Sequence, residues 1–233
     1  AWNVPFFLAA NKLGPVLLAG CTVVLKPAAE TPLTTNLFAE VFAEAGLPEG
    51  VLSVVPGGPD TGRALTNNPE LDKFTFTGSS AVGKEIGKLA AEKLKPCTLE
   101  LGGKSAAIVL DDANPAVIVP TAVGVCVHAG QACAATSRML IHRSLYDQAV
   151  ADITMAYQHV PVGDPVDPGT LVGPVISAAQ KERVLSAIDG ARRDGAEITA
   201  GGGPVEGLPD HLADGHFVAP TVITGLDNSA AIA

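Results

Sequence analysis

The chain has 233 residues and a net charge of −9, with 47% of its residues hydrophobic and 17% charged. That content supplies a core and excludes intrinsic disorder, and an acidic balance without any Lys/Arg cluster argues against nucleic-acid and membrane-surface partners. The longest apolar stretches, Gly14–Leu25 and Pro115–Val127, carry Gly, Pro or Thr and stop short of a membrane span.

Cys21–Lys26 is a β-branched run that reads as a strand. Thr31 followed by Pro32 reads as an N-cap with proline in the first turn. Leu33, Leu37, Phe38, Val41, Phe42 and Ala45 then fall on one helical face, and Gly46 closes the helix. Val51–Val55 is a second strand, Pro56–Pro59 a turn, and Asp60–Asn67 a short helix. Asp72–Thr77 is a third strand with Phe74 and Phe76 on one face. Ser79 or Ser80 caps the next helix, striped by Val82, Ile86, Leu89 and Ala90. Thr98–Leu101 and Ser105–Leu110 are strands flanking Gly102-Gly103, which marks a boundary between a first domain, 1–101, and a second, 102–233. Beyond it the pattern predicts a helix over Asn114–Ala129, a strand over Ser137–His142, helices over Tyr146–His159 and Ser177–Asp194, and a strand over Phe217–Ile223.

Strands alternating with helices predict an α/β fold with right-handed crossovers and a parallel sheet. Ligands of such sheets bind beyond the carboxyl ends of the strands, which puts Lys26, Pro56–Pro59 and Gly78–Gly83 on one rim.

Gly78-Ser79-Ser80-Ala81-Val82-Gly83-Lys84 follows a strand and opens a helix, as a P-loop does, but Glu85 stands where a P-loop needs Ser or Thr for Mg²⁺. What remains is either a plain glycine-rich turn or a seat for a phosphate at a helix N-terminus. No G-x-G-x-x-G fingerprint is present. Of the four cysteines, Cys21 and Cys126 lie in apolar runs and read as small core residues, and Cys97, before a strand, reads as structural. Cys133 sits in the small and polar segment Gly130–Arg138 just after a helix, with room for a substrate at the sulfur. No C-x-x-C occurs and no metal-ligand spacing is found among the histidines, so a cytoplasmic protein without a metal is expected. His128 is either a partner for Cys133 or a solvent-facing helical residue. Glu100, a carboxylate on an apolar strand beside the glycine pair, is either a buried partnered group or a functional one.

Five segments together resemble the NAD(P)-dependent aldehyde dehydrogenase superfamily, in its order and along essentially the whole chain. They are Trp2-Asn3-Val4-Pro5, Thr22–Pro27, Phe76–Ser79 with Gly83, Leu99–Ser105, and Gly130-Gln131-Ala132-Cys133 with Arg138. The resemblance implies a parallel-sheet cofactor domain and an α/β catalytic domain, both incomplete here. It implies that Cys133 attacks an aldehyde, and that the Asn3 amide and the Cys133 backbone N–H hold the oxyanion of the thiohemiacetal. Glu100 is then the base that hydrolyses the thioester. For the cofactor it implies Lys26 on the adenosine ribose, Gly78, Ser79 and Gly83 at the pyrophosphate turn, and Val82 on the adenine. Gly58 and Pro59 line the adenine side, and Leu101 and Gly102 lie at the nicotinamide end. The cofactor expected is NAD. NADP stays open because Ala29 stands where many NAD-preferring members carry Glu.

Two further departures matter. His128 stands where many members carry Asn, and the chain stops at Ala233 before a segment that contacts the nicotinamide ribose. Beginning at Ala1 without Met, the chain is expected to be the middle of a longer protein, a homodimer or homotetramer acting on a small aldehyde. By itself it is expected to have little activity. A catalytically incomplete fragment or pseudoenzyme with the same core is the alternative.

Overall fold

The computed structural model describes residues 1–233. The chain divides into two compact units, Ala1–Gly102 and Gly103–Ala233. No helix is long and apolar enough to cross a membrane.

The first unit runs α1 (Pro5–Leu18), β1 (Val23–Leu25), α2 (Pro32–Glu44), β2 (Leu52–Val54), α3 (Pro59–Asn67), β3 (Phe74–Gly78), α4 (Ser80–Glu92) and β4 (Cys97–Leu101). β1 pairs with β2 and β3 with β4, both parallel, each pair joined by the helix between its strands. The parallel α/β organisation is as the alternating pattern predicts. The strands are hydrogen-bonded in pairs and not as one continuous sheet.

Helix α1 has no counterpart in the sequence reading. Pro5 enters its first turn, where the missing N–H costs nothing, but Gly14-Pro15 inside it reads as a break. The helix nevertheless continues past Pro15, burying Ala9 and Leu13, the latter only 1% exposed. On α2 the apolar stripe is largely open: Leu33, Leu37 and Val41 are exposed, while Thr35 is the residue it buries. Phe38 packs its ring on Phe6 of α1, with centroids 4.5 Å apart. Cys21, expected in the core, is exposed just before β1, because the apolar run that contains it is a helix end and a turn before it becomes a strand.

The second unit contains β5 (Ala106–Val109), α5 (Ile118–Gly124), β6 (Arg138–Ile141), α6 (Arg143–Gln158), α7 (Ala178–Arg193), β7 (Glu197–Ala200) and β8 (Val222–Thr224). β5 and β6 are parallel, and β7 and β8 antiparallel. Val109, Ile118, Ala122, Ala149 and Ile153 form its buried core, with Met139, Ile141, Leu145 and Tyr157 packed on them. Ser177 caps α7, its hydroxyl accepting from the Gln180 N–H at 3.3 Å.

Two sequence expectations change here. The single helix over Asn114–Ala129 is broken into a 3₁₀ turn at Pro115–Val117, then α5, then a second 3₁₀ turn at Val127–Gly130. The break comes where His128 and Ala129 take φ of 55° and 54°, outside the right-handed region. The strand expected over Phe217–Ile223 forms only at Val222–Thr224, since Pro220 has no N–H for a ladder. Phe217 is buried outside any strand, 2% exposed. The partner strand β7 was not legible in the sequence.

Candidate active site

The rim of the first unit is built at the carboxyl ends of its strands. Lys26 follows β1 directly, and its ammonium donates to the carbonyls of Pro27 at 2.6 Å and Gly57 at 2.7 Å. Gly57 lies beyond β2 at φ +154°, and a Cβ there would fall 2.1 Å from Thr61 Oγ1, so only glycine lets the chain turn this tightly into α3. Gly58 is the N-cap of α3 and Pro59 its first residue. Burial lowers the Lys26 pKa, offset by the Glu30 carboxylate nearby. Ala29 is exposed.

The second pair of strands supplies the other part of the rim. β3 ends at Gly78, and the Ser79 hydroxyl caps α4 by accepting from the Val82 N–H at 3.4 Å. Ser79, not Ser80, is therefore the cap. Val82 is exposed in the first turn of α4. Gly83 faces β4 so closely that a Cβ would lie 2.4 Å from Leu101 Cδ2, which draws the helix start onto the strand. Gly102 follows Leu101 and is exposed.

Glu100 is exposed on the outward face of β4, not buried as an apolar strand would have it, because Leu99 and Leu101 take the inward positions. It is in register with Thr77 of β3, and paired residues of parallel strands share a face. The Thr77 hydroxyl is buried with no hydrogen-bond partner. A buried orphan hydroxyl costs about 1–3 kcal/mol, so its place one residue before the Gly78 turn suits a bound polar ligand.

Lys12 was missed by the sequence reading. It is the sole charged residue of α1, and that lone charge in an apolar run was a signal. Burial pushes the Lys12 pKa down, and the carboxylate of Glu100 pulls it back up. Asn3, half-buried just before α1, stands nine positions ahead of Lys12 in the same unit.

Cys133 lies in the second unit, exposed in the loop between Gly130 and β6. Cys126 is buried, and burial raises its thiol pKa despite the Tyr157 hydroxyl beside it. Cys97 is half-buried, and burial raises its pKa as well. Gln131 pins the approach to Cys133: its amide donates to the His128 carbonyl at 2.9 Å, and its oxygen accepts from the Ile176 N–H at 3.0 Å. Arg138 pins the exit, donating to the Lys104 carbonyl at 2.8 Å and the Asn228 side chain at 2.9 Å. His128 is exposed and non-helical, with φ of 55°, followed by Ala129 at 54° and Gly130 at 73°. Two successive non-glycine residues in the left-handed region cost roughly 1 kcal/mol or more each and persist only where the surroundings impose them.

The first unit, with parallel strand pairs joined by helices and an amine at the end of β1, and the second, with an exposed thiol in a loop braced at Gln131 and Arg138, make this a thiol-bearing α/β protein. The pattern of the aldehyde dehydrogenase family matches residues 1–233, and the chain belongs to that family. It is 57% identical to an aldehyde dehydrogenase of Mycobacterium tuberculosis solved in complex with NAD⁺, with a TM-score of 0.94 over 100% of this chain and 47% of that one. An NAD⁺ complex of an aldehyde dehydrogenase from Bacillus cereus is 40% identical, with a TM-score of 0.93 over 99% of this chain and 46% of that one. A chloroplastic betaine aldehyde dehydrogenase of Beta vulgaris is 41% identical over 99% of this chain and 46% of that protein. The chain thus spans about half the length of the relatives it matches.

Proposed function

We propose that the intact protein oxidises an aldehyde to a carboxylic acid with NAD, with Cys133 as nucleophile. The observation that carries this is the exposed Cys133 thiol in a loop held on both sides, at Gln131 and at Arg138. The family match over the whole chain supports it.

In this reading the Cys133 sulfur attacks the aldehyde carbon, giving a thiohemiacetal. The Asn3 amide and the Cys133 backbone N–H donate to its oxyanion. When bound, a nicotinamide dinucleotide supplies the acceptor for the departing hydride. Glu100 takes a proton from the water that hydrolyses the resulting thioester, and Lys12 sets the charge around Glu100. Exposure suits Glu100, since the water it activates must reach it.

The residues present fit a dinucleotide. The Gly78–Ser79 turn opens α4 with small residues, Thr77 offers an unpartnered buried hydroxyl, and the Lys26 amine stands at the end of β1. Lys26 would hold the ribose, Gly78, Ser79 and Gly83 the pyrophosphate turn, and Val82 with Gly58 and Pro59 the adenine. Leu101 and Gly102 would lie at the nicotinamide end. The NAD⁺ complexes of the two similar enzymes support NAD, and the neutral, exposed Ala29 leaves room for NADP.

The test is limiting alkylation of the intact protein with iodoacetamide, mapped by mass spectrometry, alongside Cys133→Ser. Cys133 is expected to react first and its loss to abolish aldehyde-dependent NADH formation. Cys21 is also exposed, so preferential labelling there with retained activity would refute the assignment.

A further inference from the structure

Helix α5 is short, and its last carbonyls lack partners within the helix. One of them, Ala122, is met from outside: the Tyr157 hydroxyl, projecting from α6, donates to it at 2.7 Å. The Cys126 thiol is a neighbour of the same hydroxyl, close enough for each to influence the other's titration. Ala122 and Cys126 are also linked along the backbone, because the Val125 N–H donates to the Ala122 carbonyl at 3.2 Å and the Cys126 N–H to the Val123 carbonyl at 2.9 Å. The phenol thus anchors the end of α5 at Ala122 from α6.

That turn feeds the left-handed run His128–Ala129–Gly130 directly. Left to itself an L-residue such as Ala129 favours the right-handed region, and a flip there redirects everything downstream. The run is therefore imposed from its two ends. Gln131 fixes the downstream end through His128 and Ile176. Tyr157 fixes the upstream end, and Cys133 is two residues beyond Gln131.

Resting on the reading of Cys133 as nucleophile, we infer that Tyr157 is a positioning residue for it, holding the exit of α5 so that His128 and Ala129 stay left-handed. Tyr157 does not touch the reacting atoms. It acts through the backbone between Ala122 and Cys133. Its half-buried phenol packs on the core formed by Ala122, Ala149 and Ile153, and burial pushes its pKa up.

The experiment compares Tyr157→Phe, Ala129→Gly and the double variant in the intact protein, reading kcat and KM for aldehyde and NAD. Tyr157→Phe keeps the ring in the core and removes the hydrogen bond. It is expected to lower kcat about tenfold with both KM values held within about twofold, the size expected of a sub-ångström misplacement. Glycine takes positive φ freely, so Ala129→Gly in the same chain is expected to restore most of the lost kcat. A role confined to core stability predicts no such rescue. An unchanged kcat in Tyr157→Phe, or a loss that Ala129→Gly does not recover, overturns the inference. If Tyr157→Phe does not fold, 4-fluorophenylalanine at position 157, which fills the place of the hydroxyl without a proton to donate to Ala122, must give the same loss and rescue. An unchanged kcat there is equally fatal. Cys133→Ser is run beside them: if it retains activity, the assignment of the nucleophile has failed, which is a different result from a wild-type kcat in Tyr157→Phe.

Discussion

The Lys26 ammonium donates to the Gly57 carbonyl at 2.7 Å, joining the end of β1 to the turn beyond β2. A side chain carried over as a cofactor ligand thus also braces the two loops between which the ribose would sit. Lys26→Met is expected to raise KM for NAD about tenfold while kcat changes less than about twofold, because the loss falls on binding and not on chemistry. Initial rates at varied NAD measure this, and a kcat loss with unchanged KM would contradict it.

Ala29 is exposed three residues beyond Lys26 and carries neither a carboxylate nor a cation. Ala29→Glu is expected to lower kcat/KM for NADP relative to NAD by repelling the 2′-phosphate. Solvent screening at an exposed site limits the effect to about 1 kcal/mol, or roughly fivefold. The ratio of the two kcat/KM values checks it, and no change would mean that this position does not face the ribose.

Lys12 and Glu100 interact electrostatically within the first unit. Glu100→Gln keeps shape and loses basicity, so a burst of NADH followed by turnover slowed about a hundredfold is expected. Lys12→Gln is expected to slow the steady state in the same direction while sparing the burst. If Lys12 acts through Glu100, the double variant is no slower than Glu100→Gln alone. Stopped-flow NADH traces decide this, and strictly additive losses would separate the two residues.

Buried Cys126 and half-buried Tyr157 are neighbours whose pKa values both lie above their ordinary 9.0 and 10.0, pushed up chiefly by burial. The folded state therefore keeps protons that the unfolded chain gives up. Their contribution to stability is complete below about pH 8 and is lost as pH rises past 9.0 and then 10.0. The melting temperature is expected to fall across that range, and the fall is expected to be shallower in Cys126→Ala. Scanning calorimetry from pH 7 to about 10.5 tests the sign, and a rising melting temperature would oppose it.

The strand and helix order was largely legible because period and punctuation are local. Pro32 and Ser79 mark their helix starts by chemistry that needs no tertiary partner, although the Thr31 hydroxyl, expected to cap α2, makes no capping bond. The family segments were likewise plain in the text, since each is a short run read in order. Tertiary structure decided what depends on neighbours distant in the chain. Whether Glu100 is buried turns on which face of β4 packs inward, and whether Cys21 is buried turns on where β1 begins. Helix α1 survives Gly14-Pro15 because its Leu13 face is buried, and burial outweighs a local break. The left-handed residues beyond α5 are bordered by a contact from α6 at Ala122 and one from Ile176 at Gln131, and no window of sequence around Cys133 contains those partners.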